Sequence, residues 1–356
     1  MSSIRSFSST LLLALLPLGF LIVMVVAPLV ALAFYDGSSW GGVLRDDYMQ
    51  HLILWTAFQA LATCMLAGIL GVPAAWVLAR LDFRGRAPVL RLLMLPFVMP
   101  TLVAGMGVLA LFGTNGAVWA GWQDTPYLLV YGNVFFNLPV LVRAAYQGFL
   151  QVPEARLQTA QALGAGAWQR FLRVEWPVLR PWLAGGLCLV FLYCFSGFGL
   201  ALLLGGDRYA TVEVEIYRLI AYELDMAQAS VLVWLVLGIT AAAGLLYARL
   251  SRRTDADKAH AAPRPRKPAT AAERLMVAAV LSVLCVCCLM PLLAVVRQAA
   301  LAGGSWRVLL EGETLAALRN TVRFSAAAVA AAAVLGVSYA CLARRAAWVR
   351  GAVFLP

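Results

Sequence analysis

Very few side chains in this chain are placed to do chemistry on a substrate. The two histidines, His51 and His260, fall at or beyond the edges of the long apolar blocks. The seven cysteines (Cys64, Cys188, Cys194, Cys285, Cys287, Cys288 and Cys341) all fall inside those blocks. The densest group, Cys285, Cys287 and Cys288, has no Cys/His cluster at metal-ligand spacing to complete it. Small, polarizable packing residues are the expected role. The only lysines, Lys258 and Lys267, lie in a charged stretch, and no Gly-x4-Gly-Lys-Ser/Thr phosphate loop exists. The sequence therefore predicts no catalytic residue, no metal site and no cofactor of its own.

The remaining polar and aromatic candidates could guide a solute rather than transform it. Asn133 and Asn137 stand four apart, one above the other on a helix face. They line a path or hydrogen-bond between helices, since a buried amide in lipid needs a partner. Phe191, Tyr193, Phe195 and Phe198, with Ser196, either offer ring faces to a cation or pack the core. Glu213 and Glu215 fall in an acidic connecting segment and are candidates for docking a partner protein, or simply solvated. Pro96 and Pro100, followed by Gly105 and Gly107, predict a kinked or broken helix.

Composition says what must position these residues. The chain has 356 residues, 63% of them hydrophobic and 13% charged, with mean hydropathy +0.84. A soluble domain is nearer half apolar and a quarter charged. Apolar blocks run near 11–35, 52–79, 89–113, 126–149, 182–205, 227–249, 275–297 and 321–343. Each is long enough for a helix to cross a bilayer core of about 30 Å. Lipid offers the backbone no hydrogen bonds, so the spans must be helical or form a closed barrel. The alternating ten-residue segments of a barrel are absent. An all-α membrane protein with eight spans is expected, with Gly351–Pro356 as the opening of a ninth.

Charge sets the expected orientation. With the N-terminus inside, 21 of the 28 basic residues and six acids fall in inside segments, against seven bases and eleven acids outside. That asymmetry follows the rule that cytoplasmic loops hold the excess of Lys and Arg. It accounts for the net charge of +11 without any nucleic-acid partner.

The segment 251–273, rich in Pro, Ala and charge, reads as a cytosolic linker. The chain repeats itself across it: LGVPAAWVLARLDFRGRAPVLRLLMLP at 70–96 is echoed by LGVSYACLARRAAWVRGAVFLP at 335–356. Repeated halves are common in transporters. Residues 1–250 then make a first repeat of six spans, and 274–356 a second that stops where its next span begins. The chain is expected to be truncated there, and inactive in transport by itself.

Between the fourth and fifth blocks lies QVPEARLQTAQALGAGAWQRFLRVEWPVLRP, 151–181. It is too polar to span, yet Leu157, Ala160, Leu163, Ala167, Phe171 and Val174 recur at helical spacing. Two short amphipathic helices are predicted, broken at Gly164 and stopped by Pro177. Such a pair can transmit force from a soluble partner, or lie on the lipid surface.

This loop resembles the EAA coupling loop of type I ABC-importer permeases: Glu-Ala-Ala, three residues, Gly, nine residues, Ile, any residue, Leu-Pro. Gly164, Val174 and Pro177 occupy the Gly, Ile and Pro positions. Gln158, Thr159 and Ala160 stand for Glu-Ala-Ala, and Trp176 for Leu. Gln158 removes a charge that could pair with the ATPase. Within that superfamily, Val174-Glu175-Trp176-Pro177, FFNLP at 135–139 and GGDRYATVEVEIYRLIAYELD at 205–225 resemble the thiamine-importer permeases.

The resemblance implies a type I ABC permease (MetI-like) bundle in the bacterial inner membrane. It is a transport subunit and not an enzyme, with ATP and Mg held by a separate cytosolic ATPase dimer. A periplasmic binding protein would deliver a small-molecule substrate. Glu154, Gln158, Ala160, Gly164, Val174, Trp176 and Pro177 would meet the ATPase. Asn133, Asn137, Tyr193, Phe195 and Ser196 would line the path of a cationic thiazolium, and Glu213 and Glu215 would dock the binding protein. Ferric iron, a polyamine or sulfate is the alternative cargo. An ion-coupled secondary transporter is the alternative machine, although the spans lack central Asp, Glu or Lys.

Overall fold

The computed structural model describes residues 17, 19–34, 39–206, 208–254 and 265–345. The expected opening of a ninth span, the middle of the linker and the start of the first apolar block lie outside these residues. Two compact units form, one from Met1–Ser38 and Ala299–Pro356, the other from Ser39–Gln298.

The helices, in chain order, are α1 (Gly19–Ala33), α2 (Ser39–Arg45) and α3 (Asp47–Arg80). The bent pair α4 (Arg86–Val98) and α5 (Thr101–Phe112) follows. Next come α6 (Pro126–Leu150), α7 (Glu154–Ala162) and α8 (Ala167–Phe195). The last five are α9 (Phe198–Leu204), α10 (Val212–Arg218), α11 (Met226–Thr254), α12 (Ala271–Leu301) and α13 (Gly312–Arg345). By length and composition α3, α6, α8, α11, α12 and α13 can each cross a membrane, and the α4–α5 pair makes a seventh crossing if taken as one. α1 is apolar but shorter. Each apolar block of the sequence thus has a helical counterpart.

α3 shows why these runs fold locally as they do. Asp46 caps it by accepting from the Tyr48 N–H at 2.8 Å. Asp47 opens the helix and Arg80 closes it, both matching the helix dipole. Its packing face is built from Ala60, Ala67, Gly71, Ala74 and Ala75, all buried. Lipid supplies no hydrophobic drive between helices, so close approach through small residues takes its place. A Cβ on Gly71 would already touch Leu138 and Val142 of α6 at 3.4 and 3.5 Å. α8 packs on both α3 and α6, and α11 packs on α8, with Phe135, Phe149 and Phe195 completely buried.

The predicted break in the third block is present: α4 and α5 meet at 106°. Proline disfavours helical geometry in the residue before it. Met99 accordingly turns extended, at φ −67° and ψ 145°, just ahead of Pro100. The fifth block differs from expectation. Its helix does not begin near 182 but at Ala167, and it ends at Phe195, after which α9 completes the block.

Candidate functional site

The elbow between α7 and α8 is the best-defined feature at the Arg80 end of α3. α7 ends in a left-handed Gly164, φ +79°, a conformation that costs glycine little and other residues more. The chain re-enters a helix at Ala167, where the Gln169 side chain accepts from the Gly166 N–H at 3.3 Å. Across the turn Arg170 Nη1 donates to Gln161 Oε1 at 3.1 Å. Along α7 Gln158 donates to Glu154 at 3.0 Å. Trp168 stacks on Phe171, ring centres 5.6 Å apart. The elbow nonetheless leaves Leu163 83% and Trp168 69% exposed. Paired apolar side chains at such a tip mark a contact surface.

Pro177 does not stop a helix, contrary to the sequence expectation. α8 runs through it because Phe171–Glu175 forms a π turn, closed by the Trp176 N–H on the Phe171 carbonyl. A π turn shifts the hydrogen-bond register by one residue, and a proline with no N–H is accommodated just beyond it. The second arm of the elbow, from Ala167, is therefore an extension of the spanning helix α8, while α7 is a separate short helix broken from it at Gly164.

Glu175, in that π turn, was not singled out by the motif, yet it anchors the elbow. Arg80 donates through Nε at 3.1 Å and Nη2 at 2.7 Å to Glu175 Oε1. The side chains are only 11% and 6% exposed. Arg80 Nη1 is buried with no hydrogen-bond partner. A cavity of about 650 Å³ lies against this pair, walled by Pro73, Trp76, Glu154, Trp168, Phe171 and Met276 among others. Of the residues assigned to ATPase contact, Gln158, Gly164, Trp176 and Pro177 are exposed, and Glu154, Ala160 and Val174 half-buried. They share one elbow.

The candidates for a solute path are not gathered in one place. Asn133 and Asn137 are 4% and 2% exposed. Asn133 donates to Gln59 Oε1 of α3 at 2.7 Å. Gln59 in turn donates to the Cys194 carbonyl of α8 at 2.9 Å. Asn137 donates to the Asn133 carbonyl at 3.0 Å, and its Oδ1 is buried without a hydrogen-bond partner. This is a polar knot joining α3, α6 and α8. Phe195 is fully buried against Phe191, whereas Ser196 is exposed. Tyr193 lies beside Phe97, centres 5.6 Å apart, at a separate cavity of about 340 Å³ with Arg143, Trp182 and Tyr247. Gln59 was missed by sequence reasoning, though a lone glutamine inside an apolar span was the available signal.

At the other end of α3, Glu215 faces inward. It is 5% exposed, accepts from the Tyr48 hydroxyl at 2.9 Å and lies 3.8 Å from Arg218. Glu213 remains half-buried, and burial pushes its carboxyl above the ordinary carboxylate range. Among the described residues no group of three or more His, Cys, Asp or Glu could hold a metal.

A known family accounts for this arrangement. The family described as "Binding-protein-dependent transport system inner membrane component" matches residues 67–256, a stretch that contains the elbow and the Arg80 end of α3. The chain belongs to this family. The inner membrane component is 34% identical over 226 residues to the thiamine transport system permease protein ThiP of Salmonella typhimurium and to that of Escherichia coli K12. Each match covers 60% of this chain and 42% of the relative, so the chain spans about two fifths of the length of these permeases. It is also 31% identical over 215 residues to the sulfate transport system permease protein CysW of a Synechocystis species, covering 57% of this chain and 78% of that one. In three dimensions it resembles a chain of a bacterial alginate ABC transporter solved with a pentasaccharide-bound periplasmic protein. The TM-score is 0.61 at 15% identity, over 72% of this chain and 99% of the other. That likeness shows a shared fold. The component is thus an all-α, multi-pass inner-membrane protein with a type I ABC permease bundle, and its relatives are transport subunits rather than enzymes.

Proposed function

We propose that this chain forms the membrane path of an ATP-driven importer for thiamine, with its elbow at Glu154–Pro177 facing the cytosol and a separate ATPase dimer seated on it. The carrying observation is the elbow itself: Leu163 and Trp168 are exposed at its tip, the turn between α7 and α8, and Trp168 stands on a helix that continues without a stop into a spanning segment. A push on that tip moves a spanning helix directly. The excess of arginine at this end of the bundle supports a cytosolic placement. The family and the alginate-transporter fold support a periplasmic binding protein as donor of the solute. Thiamine is favoured by the run of similar permeases. Sulfate is the second reading, because the sulfate permease is matched over most of its length. The 251–273 segment is proposed as the connection between two permease repeats.

The test uses the complete transporter containing this chain, purified and placed in proteoliposomes. An ATPase subunit should co-purify, and uptake of labelled thiamine should require ATP and survive a proton uncoupler. Uptake of sulfate instead selects the second reading. Absence of any bound ATPase, with uptake abolished by the uncoupler, would replace the importer with an ion-coupled carrier.

A further inference from the structure

We infer that Arg80 is a positioning joint that makes the elbow and the first helix after the linker, α12, move as one body. The inference rests on the elbow being the ATPase contact. Four contacts make the route, two of them at this residue. Its guanidinium holds Glu175, and so the π turn that carries the elbow into α8. Its carbonyl accepts from the Arg266 N–H at 3.0 Å. The Asp82 N–H, two residues on, donates back to the Arg266 carbonyl at 2.8 Å, so a short strap of the linker is clipped to the end of α3 by main-chain bonds. The Arg266 side chain then grips Glu273 of α12 with both forks, one of them at 3.1 Å. Glu273 also accepts from the Ala269 N–H at 2.8 Å and closes the cap of α12 through Thr270.

The route from Glu175 to α12 is therefore continuous, through charge-assisted and main-chain bonds rather than through loose packing. The elbow cavity reinforces it. Met276 of α12 faces the same space as Trp168 and Phe171 of the elbow. The pair is also suited to move intact. Burying both ions offsets much of their mutual attraction, but separating them leaves an unpaired charge in a dry site. Arg80 and Glu175 are thus held together more firmly than they hold the surrounding fold in place. A stroke delivered to the elbow is handed across the linker to the helix that opens the next segment of the permease.

Spin labels on the complete transporter test this, in a background with the native cysteines replaced. One label goes on exposed Ala162 of α7 and one on exposed Leu275 of α12, each measured against a reference label at Tyr127. Trapping with ATP and vanadate should shift both distances. Arg266→Pro removes the N–H and the side-chain grip while leaving the Arg80–Glu175 pair intact. It should leave the Ala162 shift unchanged and cut the Leu275 shift by half or more. Arg80→Gln, as a second variant, should do the same. A full Leu275 shift in Arg266→Pro overturns the joint while leaving the ATPase contact standing. If an ATPase fails to bind the unaltered protein, or neither label responds, the joint and the reading beneath it fall together.

Discussion

The two ends of α3 use the same kind of anchor in opposite ways. This helix is about 50 Å long at 1.5 Å per residue. At each end it holds a buried glutamate from a distant connecting segment. At one end Arg80 and Glu175 form an ion pair with both side chains nearly enclosed, the drier of the two sites by exposure. At the other, Glu215 accepts from the neutral hydroxyl of Tyr48, and its cationic neighbour Arg218 is 28% exposed and 3.8 Å away. The dry pair is all-or-none, since loss of either partner strands a charge. The wetter group can lose a member and be partly repaired by water. The rigid end carries the elbow, and the forgiving end carries a short connecting helix.

The sharpest way to break this contrast is at the dry end. Glu175→Leu or Arg80→Leu alone should destabilise the fold by about 3–5 kcal/mol, because each leaves an unpaired buried charge. The double replacement Arg80→Met with Glu175→Leu should recover most of that loss, since an apolar pair of similar volume avoids the desolvation penalty. Thermal unfolding in detergent would show it. If the single variants melt with the parent, the pair is not dry and the contrast collapses. At the wetter end Tyr48→Phe should cost less, about 1.5–3 kcal/mol for a lost hydrogen bond to a charged group. A loss equal to that of Glu175→Leu would make the two ends equivalent.

The same contrast explains what the sequence made visible. Long apolar runs declare themselves because a bilayer core leaves the backbone to satisfy itself in helices, so each block has its helical counterpart, broken at 89–113 and split at 182–205. Gly164 was legible because a left-handed residue leaves few choices, and the Met99–Pro100 break because proline constrains its predecessor. The continuation of α8 through Pro177 was hidden, since a π turn depends on register over five residues and has no compositional mark. The Arg80–Glu175 pair joins positions 95 apart, and such pairing leaves no periodic trace. Arg80 counted only as one inside charge among many. Glu213 and Glu215 looked alike as acids of an outer segment, and only the packing of α10 against α3 shows that one of them is spent on Tyr48. The buried amides Asn133 and Asn137 were legible as a cluster, but their partner Gln59 comes from another helix.

The smallest expected effect separates those two glutamates. Glu215 has a hydroxyl and a guanidinium for its charge, whereas burial raises the Glu213 carboxyl above its unfolded value. A raised carboxyl favours the folded state most when protonated. Its contribution is complete below the unfolded value and lost as pH rises through the folded one. At neutral pH the ionised Glu213 therefore opposes folding, and Glu213→Gln should raise the melting temperature at pH 7.5 by a degree or so. The gain should vanish near pH 4, where the native side chain is already neutral. Glu215→Gln should show no such gain at pH 7.5, because it gives up a bonded carboxylate. Identical pH profiles for the two variants would mean that Glu215 is as poorly served as Glu213. The Tyr48 end of α3 would then hold a buried carboxyl without effective partners rather than an anchor.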